Sequence, residues 1–484
     1  MTILSARGRL AVVGLSVVLS ALATGCRTAG TEVESPAADA DTSAGDVTST
    51  ASPDPASPSS GTATGQATSN PPLSSTATSM ATTTSTTTTL LPWSLPEAQA
   101  TQVAELMSIT ENIRGRAFHR RPTFEPMTAD ELSERYPSSP GTPRRDELRR
   151  HMAFLGLVGL VSDDSGAFQQ AAAALDPPVS APFYDFARAT VVIPGGGDPL
   201  DEYQQWVLVG ELVHALTHQH EPLLVGSVRG VGTDPDRTAA RVALLEGEAL
   251  LVQSLYLDAL PSERRAEVAR QAAQRDRLPR DGVPTMLLEL ARFPYRAGSM
   301  LATELYGLGG MAALDQALGH PPESTEQVMH LARYRRQDTP VSVEPLGPSA
   351  EGYVLVEEGT WGERRWRTLF EHHSGPVNAA RAAEGWGGDH YVMLWHPVSE
   401  DLVFAVRYSA DSFADEAEMI TAIRDLITSG MDVGPSRVVD TVTEWVESAD
   451  YAILLWDVGE ITLVLASDPI AGRSVSSQLG LADS

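Results

Sequence analysis

Apolar positions change their spacing several times along the chain. An apolar run, Leu10–Leu22, follows Arg7 and Arg9 and leads into Ala23-Thr24-Gly25-Cys26. Residues 27–95 then offer few apolar groups and are rich in Ser, Thr, Ala, Pro and Gly, ending in the tract Thr82–Thr89. Regular patterning starts near Pro96. Apolar spacing predicts a helix over 97–116, a strand over 122–127, a helix capped by Thr128, and a further helix over 146–160. Residues 183–193 read as a hairpin or a turn plus strand, because Val191-Val192-Ile193 favour extended backbone. Gly195-Gly196-Gly197 breaks the chain, and Asp198-Pro199 is placed to cap and open a helix running to about His220. Another helix is expected over 236–259. In the C-terminal part, 353–357, 364–370, 391–395 and 402–408 read as strands and 415–429 as a helix. Residues 452–456 and 460–466 read as a hairpin around Val458-Gly459. The pattern predicts an α+β fold. Residues 96–345 are mainly helical with a small sheet, and residues 346–484 form a small α+β unit.

The N-terminal apolar run is too short for a stable transmembrane helix. With the preceding arginines and the small residues before Cys26, residues 1–26 read as a bacterial lipoprotein signal, Cys26 becoming the lipidated N-terminus. Ala23 stands where such signals usually carry Leu, and the alternative is an ordinary secretory signal cut nearby. Cys26 is the only cysteine, so no intrachain disulfide can form. Residues 27–95 lack the apolar groups that offset ordering entropy, which predicts a disordered tether. A flexible chain of that length averages roughly 45 Å end to end. The expected location is the extracytoplasmic face of the cell membrane, with the folded part held off the lipid surface by the tether.

The net charge is -28, and the 35 basic residues are all Arg. Such a surface disfavours nucleic acid and anionic lipid as partners.

The most informative stretch is Gly210-Glu211-Leu212-Val213-His214. The zinc-peptidase helix reads H-E-x-x-H. Two imidazoles one turn apart bind Zn²⁺, and the Glu is general base toward the metal-bound water. Here the Glu and the second His are in place, and Gly210 stands at the first ligand position. Trp206, Val207, Val209, Val213 and Leu216 supply a buried face, while Glu211, His214 and His218 share one stripe. An isolated stripe of this kind is more often a solvated helix face. The next helix shifts that balance, because Glu246 and Glu248 sit among apolar neighbours, and a buried helix rarely keeps an unpaired carboxylate. Glu246 is the first choice for a ligand supplied by a second helix. Glu248 points to a different face. The alternative for Glu246 is an ion pair with Arg237 or Arg241.

The stretch VLVGELVHALTHQHEPLL resembles bacterial zincin metallopeptidase-like proteins of gluzincin type whose helix reads HELTHALQDQHF. It matches them at Glu211, Leu212, His214, Ala215, Leu216, Gln219 and His220. Glu246–Ala249 matches their EGEA segment. Phe293–Gly298, Gly309-Gly310 and Ser324–His330 match a later PYxxG…GG…STEQ block. The FYDFARATVVI stretch is similar to their GFYDP segment, and Ala382–Tyr391 to a recurring AAxGWGGDxY segment. The resemblance implies a zincin-like fold, with Glu211 at the general-base position, His214 at a ligand position and Glu246 at the third ligand position.

The departures weaken that site. Gly210 replaces the first zinc ligand, and Thr217 and His218 replace a Gln-Asp pair. Two protein ligands form a weak set, because catalytic zinc takes three. His218 has the spacing that lets two imidazoles share a metal, yet it would carry the metal about 6 Å along the helix, away from Glu211. Zinc is therefore expected to be weak or absent. Gly210 also costs about 1 kcal/mol relative to Ala in a helix interior. Either the site has lost its role, or another backbone packs close there.

His330 is a reserve candidate for substrate contact. His220 is expected to cap carbonyls, Ser324 or Thr325 to cap a helix, and His372-His373 to form an exposed pair. Ser299 and Ser374 lack a nucleophile elbow, and Gly307–Gly310 lacks the strand and Lys of a phosphate loop.

The sequence leaves three functional classes open. The first is an impaired or inactive metallopeptidase homologue that binds a peptide or protein partner. The second is an active zinc metallopeptidase with a rearranged site built from His214, Glu246 and His218. The third is a structural envelope protein. The missing imidazole favours the first, since metal affinity and Lewis acidity fall together.

Overall fold

The computed structural model describes residues 94–136, 142–161, 181–228, 233–275, 283–446, 448–457 and 459–481. Cys26 and the Ser/Thr-rich stretch lie outside the described residues. The described chain is α+β.

Helix α1 (Glu97–Arg114) is followed by strand β1 (Thr123–Met127), α2 (Ala129–Arg135) and α3 (Thr142–Leu157). Thr128 and Glu131 form a capping box at the start of α2. A hairpin of β2 (Phe183–Asp185) and β3 (Thr190–Pro194) completes a three-stranded sheet of order β1-β3-β2, with β1 parallel and β2 antiparallel to β3.

The motif helix is α4 (Glu202–His220). Its cap is Asp201 rather than Asp198. Asp201 accepts from Gln204 N, and Gln204 returns a bond to Asp201 N. That reciprocal pairing fixes the helix start. Asp198 instead offers its carbonyl to Gln99 Nε2 at 2.6 Å. Every residue from Trp206 to Thr217 is buried, so α4 is a central helix enclosed on all sides rather than a surface one.

Helices α5 (Pro222–Ser227), α6 (Pro235–Ala259), α7 (Ser262–Arg275) and α8 (Thr285–Gly319) follow, then the short α9 (Thr325–Met329) and α10 (Leu331–Arg336). The EGEA and PYxxG glycines have a shared structural use. A Cβ on Gly247 would lie 2.1 Å from Gly298 O, and one on Gly298 would lie 2.0 Å from Ala243 O. Helices α6 and α8 thus cross backbone to backbone, and that contact holds Glu246 and Glu248 in fixed directions on either side of Gly247.

The C-terminal part contains β4 (Val354–Gly359), α11 (Gly362–Glu384), β5 (Trp386–Trp395), β6 (Leu402–Ala410) and α12 (Phe413–Gly430). It continues with β7 (Ser436–Val439), β8 (Val442–Trp445), β9 (Tyr451–Asp457), β10 (Glu460–Ala466) and α13 (Pro469–Gln478). These strands form a seven-stranded antiparallel sheet of order β4-β5-β6-β10-β9-β8-β7. One face buries Trp361, Trp366, Phe370, Phe404 and Met419 under α11 and α12, and Phe154 and Leu155 of α3 join that core. The other face packs Val392, Val403 and Val464 against Ala471 and Val475 of α13.

Residues 364–370 are helical, which corrects the strand expected there. Trp366, Leu369 and Phe370 are each no more than 1% exposed and recur at i, i+3 and i+4, so one helix face can bury all three.

Polar bonds fix the interior of each part, and Thr360 N, which donates to Asp234 Oδ2 at 2.8 Å, ties one part to the other. Asp236 at the start of α6 accepts from Thr325 N at 2.8 Å and Thr325 Oγ1 at 2.5 Å. Asp389 of β5 accepts from four groups, Trp361 N, Gly362 N, Trp366 Nε1 and Trp386 Nε1. Among the described residues no helix is long and apolar enough to cross a membrane.

Candidate functional site

Helices α4 and α6 bring Glu211, His214 and Glu246 together in the interior. Their exposures are 2%, 2% and 4%. His214 Nε2 lies 3.5 Å from Glu246 Oε2. That is an ion-pair separation, too long for a strong hydrogen bond. Glu246 Oε2 accepts no hydrogen bond among the described residues. Neither Arg237 nor Arg241 reaches Glu246; both pair with Glu323.

Burial penalises ionisation of Glu211 and, with help from the Glu246 charge, pushes it up to about 8, against the opposing pull of His214 and Tyr184 N. Burial alone would discharge His214. The facing Glu246 outweighs it, and Glu211 and Glu248 add to the effect, raising His214 to about 9.

The stripe is covered from one side by the β2 hairpin. Tyr184 N donates to Glu211 Oε2 at 2.8 Å. The Phe186 ring lies 5.3 Å from that of His214. Both aromatic residues are themselves buried. His218 shares the stripe, as its spacing requires, but its Nδ1 pairs with Tyr184 Oη at 2.8 Å. That bond holds the hairpin to α4 through one ring nitrogen of His218.

Glu248 faces away from Glu246, as their spacing demands. Arg114 Nε donates to Glu248 Oε1 at 2.6 Å, and Thr217 Oγ1 donates to Glu248 Oε2 at 2.8 Å. Arg114 also reaches Asp315 at 2.6 Å. This charged group connects α1, α4, α6 and α8. It gives Thr217 a structural use that its place beside the motif did not reveal.

The remaining candidates sit elsewhere. His330 pairs with both carboxylate oxygens of Glu363, at 2.9 and 3.1 Å, and so joins the end of α9 to α11 rather than the Glu211 group. Ser324 caps α9 by accepting from Gln327 N. His220 bonds Ala117 O through Nε2 at 2.9 Å and lies against His119. His373 bonds Ser429 Oγ.

The donor set does not fit a catalytic zinc. Position 210 supplies no side chain, Glu211 is held by Tyr184 N, and only His214 and Glu246 face each other. Among the described residues no group of three or more His, Cys, Asp or Glu side chains is arranged to hold a metal ion. The arrangement is a buried ion pair beside a buried carboxyl group. It can stabilise packing between α4, α6 and the hairpin.

Tyr184, Phe186, Arg114 and Gln253 were not singled out from sequence. Only Gln253 left a usable signal, since it follows Glu246 by seven residues and therefore shares its helix face.

A family model described as a domain of unknown function (DUF8575) matches residues 353–471, which span the seven-stranded sheet and the start of α13. No curated protein and no solved structure matches the chain.

Proposed function

We propose that this chain is a lipid-anchored extracytoplasmic protein whose metallopeptidase-like domain has no peptidase activity and works by binding a peptide or protein partner. The observation that carries the reading is the closure of the motif site. Glu211 and His214 are each 2% exposed. Tyr184 N occupies Glu211, and Phe186 lies across His214. A working zinc peptidase needs its general base turned toward a metal-bound water that substrate can approach. Here that carboxyl group serves as an acceptor for the hairpin backbone. Partner binding then falls to the outer surface rather than to the covered stripe. The anchor and tether rest on the Cys26 signal and the composition of residues 27–95.

The test is peptide hydrolysis by the full chain with zinc added, using a mixed-sequence fluorogenic peptide library, set beside the Glu211→Gln variant. The reading expects the two proteins to be indistinguishable at background. Cleavage that disappears in Glu211→Gln overturns it.

A further inference from the structure

Position 210 has a neighbour that explains why a side chain is missing there. A Cβ on Gly210 would lie 2.6 Å from Gln253 Nε2, 2.8 Å from Gln253 Cδ and 3.3 Å from Gln253 Cγ. Gln253 is 3% exposed. Its amide is anchored, because Nε2 donates to Trp206 O at 3.1 Å and to Val207 O at 3.3 Å. Those two carbonyls belong to the turn of α4 just before Gly210. The close atoms are the end of a long side chain, but moving that end would strip both bonds in a place closed to water.

The two helices therefore meet in matched rungs. One turn of α4 sets His214 against Glu246, and the preceding turn sets Gly210 against Gln253. The second rung replaces a metal ligand with an amide that bonds the helix backbone directly.

We infer that Gln253 fills the place of the lost first ligand, and that Gly210 and Gln253 form a coupled pair that shuts the site to divalent transition metals. The inference rests on the reading of the site as a degenerate metal centre. It adds that the block is a named side chain as well as a missing one. Restoring the imidazole alone is then insufficient, since its Cβ lands on the Gln253 amide. Removing Gln253 alone opens room without supplying a donor. Both changes together bring two imidazoles and one carboxylate to one point.

The experiment titrates Co²⁺ into the full chain and its Gly210→His, Gln253→Ala and doubly substituted variants. It follows visible absorption bands of bound Co²⁺ and uses circular dichroism to confirm folding. The double variant should bind one Co²⁺ per chain at least about 100-fold more tightly than either single variant, since even a supporting group outside the ligand set is worth about 10- to 100-fold. Gly210→His binding as tightly as the double variant would show that Gln253 is no block. A folded double variant that binds no better than the parent would remove the pairing altogether. Tight stoichiometric binding by the parent would instead overturn the degenerate-centre reading.

Gly210→Ala provides a second readout that survives if the His variants do not fold. It should lower the melting temperature in the parent, where its Cβ meets Gln253. It should raise the melting temperature in the Gln253→Ala background, where only helix propensity acts. The same sign in both backgrounds refutes the coupling.

Discussion

Arg114→Met is the most demanding test of the buried charge group around the motif helix. Arg114 and Glu248 have side chains 1% exposed and lie 2.6 Å apart. Removing the guanidinium leaves Glu248 in the interior with Thr217 as its hydrogen-bond partner. Breaking a buried pair by deleting one member costs about 3–5 kcal/mol, because the surviving charge stays desolvated. Asp315, the other partner of Arg114, is 31% exposed and also meets Arg116 at 3.1 Å. Water and Arg116 compensate Asp315, so nearly all of the loss comes from Glu248. Adding Glu248→Gln to Arg114→Met removes the stranded charge and keeps an acceptor for Thr217. The double variant should therefore recover at least half of the loss. Equilibrium urea unfolding followed by circular dichroism measures both numbers. A loss below about 1 kcal/mol for Arg114→Met, the range of an exposed pair, would refute the assignment. So would a double variant no more stable than the single one.

Two further outcomes follow from the same structure and sequence. Burial raises Asp236 to about 7, above its usual 3.8, against the bonds from Thr325 and the Arg364 charge. The native state then binds more protons than the unfolded state between about pH 4 and 7, so stability from this group falls as pH rises through that window and is lowest above it. Asp236→Asn should accordingly gain stability relative to the parent at pH 8 compared with pH 5, measured by urea unfolding at both values, and an unchanged difference contradicts the burial argument. Cys26→Ser should move the protein from the membrane fraction to the soluble fraction with its circular dichroism unchanged; retention through salt and carbonate washes excludes Cys26 as the anchor.

Local pattern carried much of the fold. The hairpin of β9 and β10, the helix α12 and the long helices α4 and α6 were legible because apolar spacing and turn residues agreed there. Residues 364–370 were misread because Trp366 and Phe370 are strand-favouring side chains, while their burial follows helical spacing. His214 and Glu246 were placed together by the resemblance alone, as metal ligands, and they lie 3.5 Å apart; burial among apolar neighbours did not by itself decide between that placement and an arginine pair.

The closure of the site was not legible. It depends on Tyr184 N, a backbone group that every residue but proline possesses, and on a hairpin that folds onto α4 from elsewhere in the chain. The use of Gly210 was half legible. Close packing was one of the two readings the glycine allowed, but the neighbour is the Gln253 side chain rather than a backbone.

The central claim is that the motif site no longer holds a catalytic metal, and metal content tests it most directly. The full chain should be purified without chelator, dialysed against metal-free buffer, and its zinc measured by mass spectrometry against protein concentration. The account predicts well under one zinc per chain, and its loss on brief exposure to EDTA. One zinc per chain that persists through dialysis and disappears in His214→Ala would contradict it.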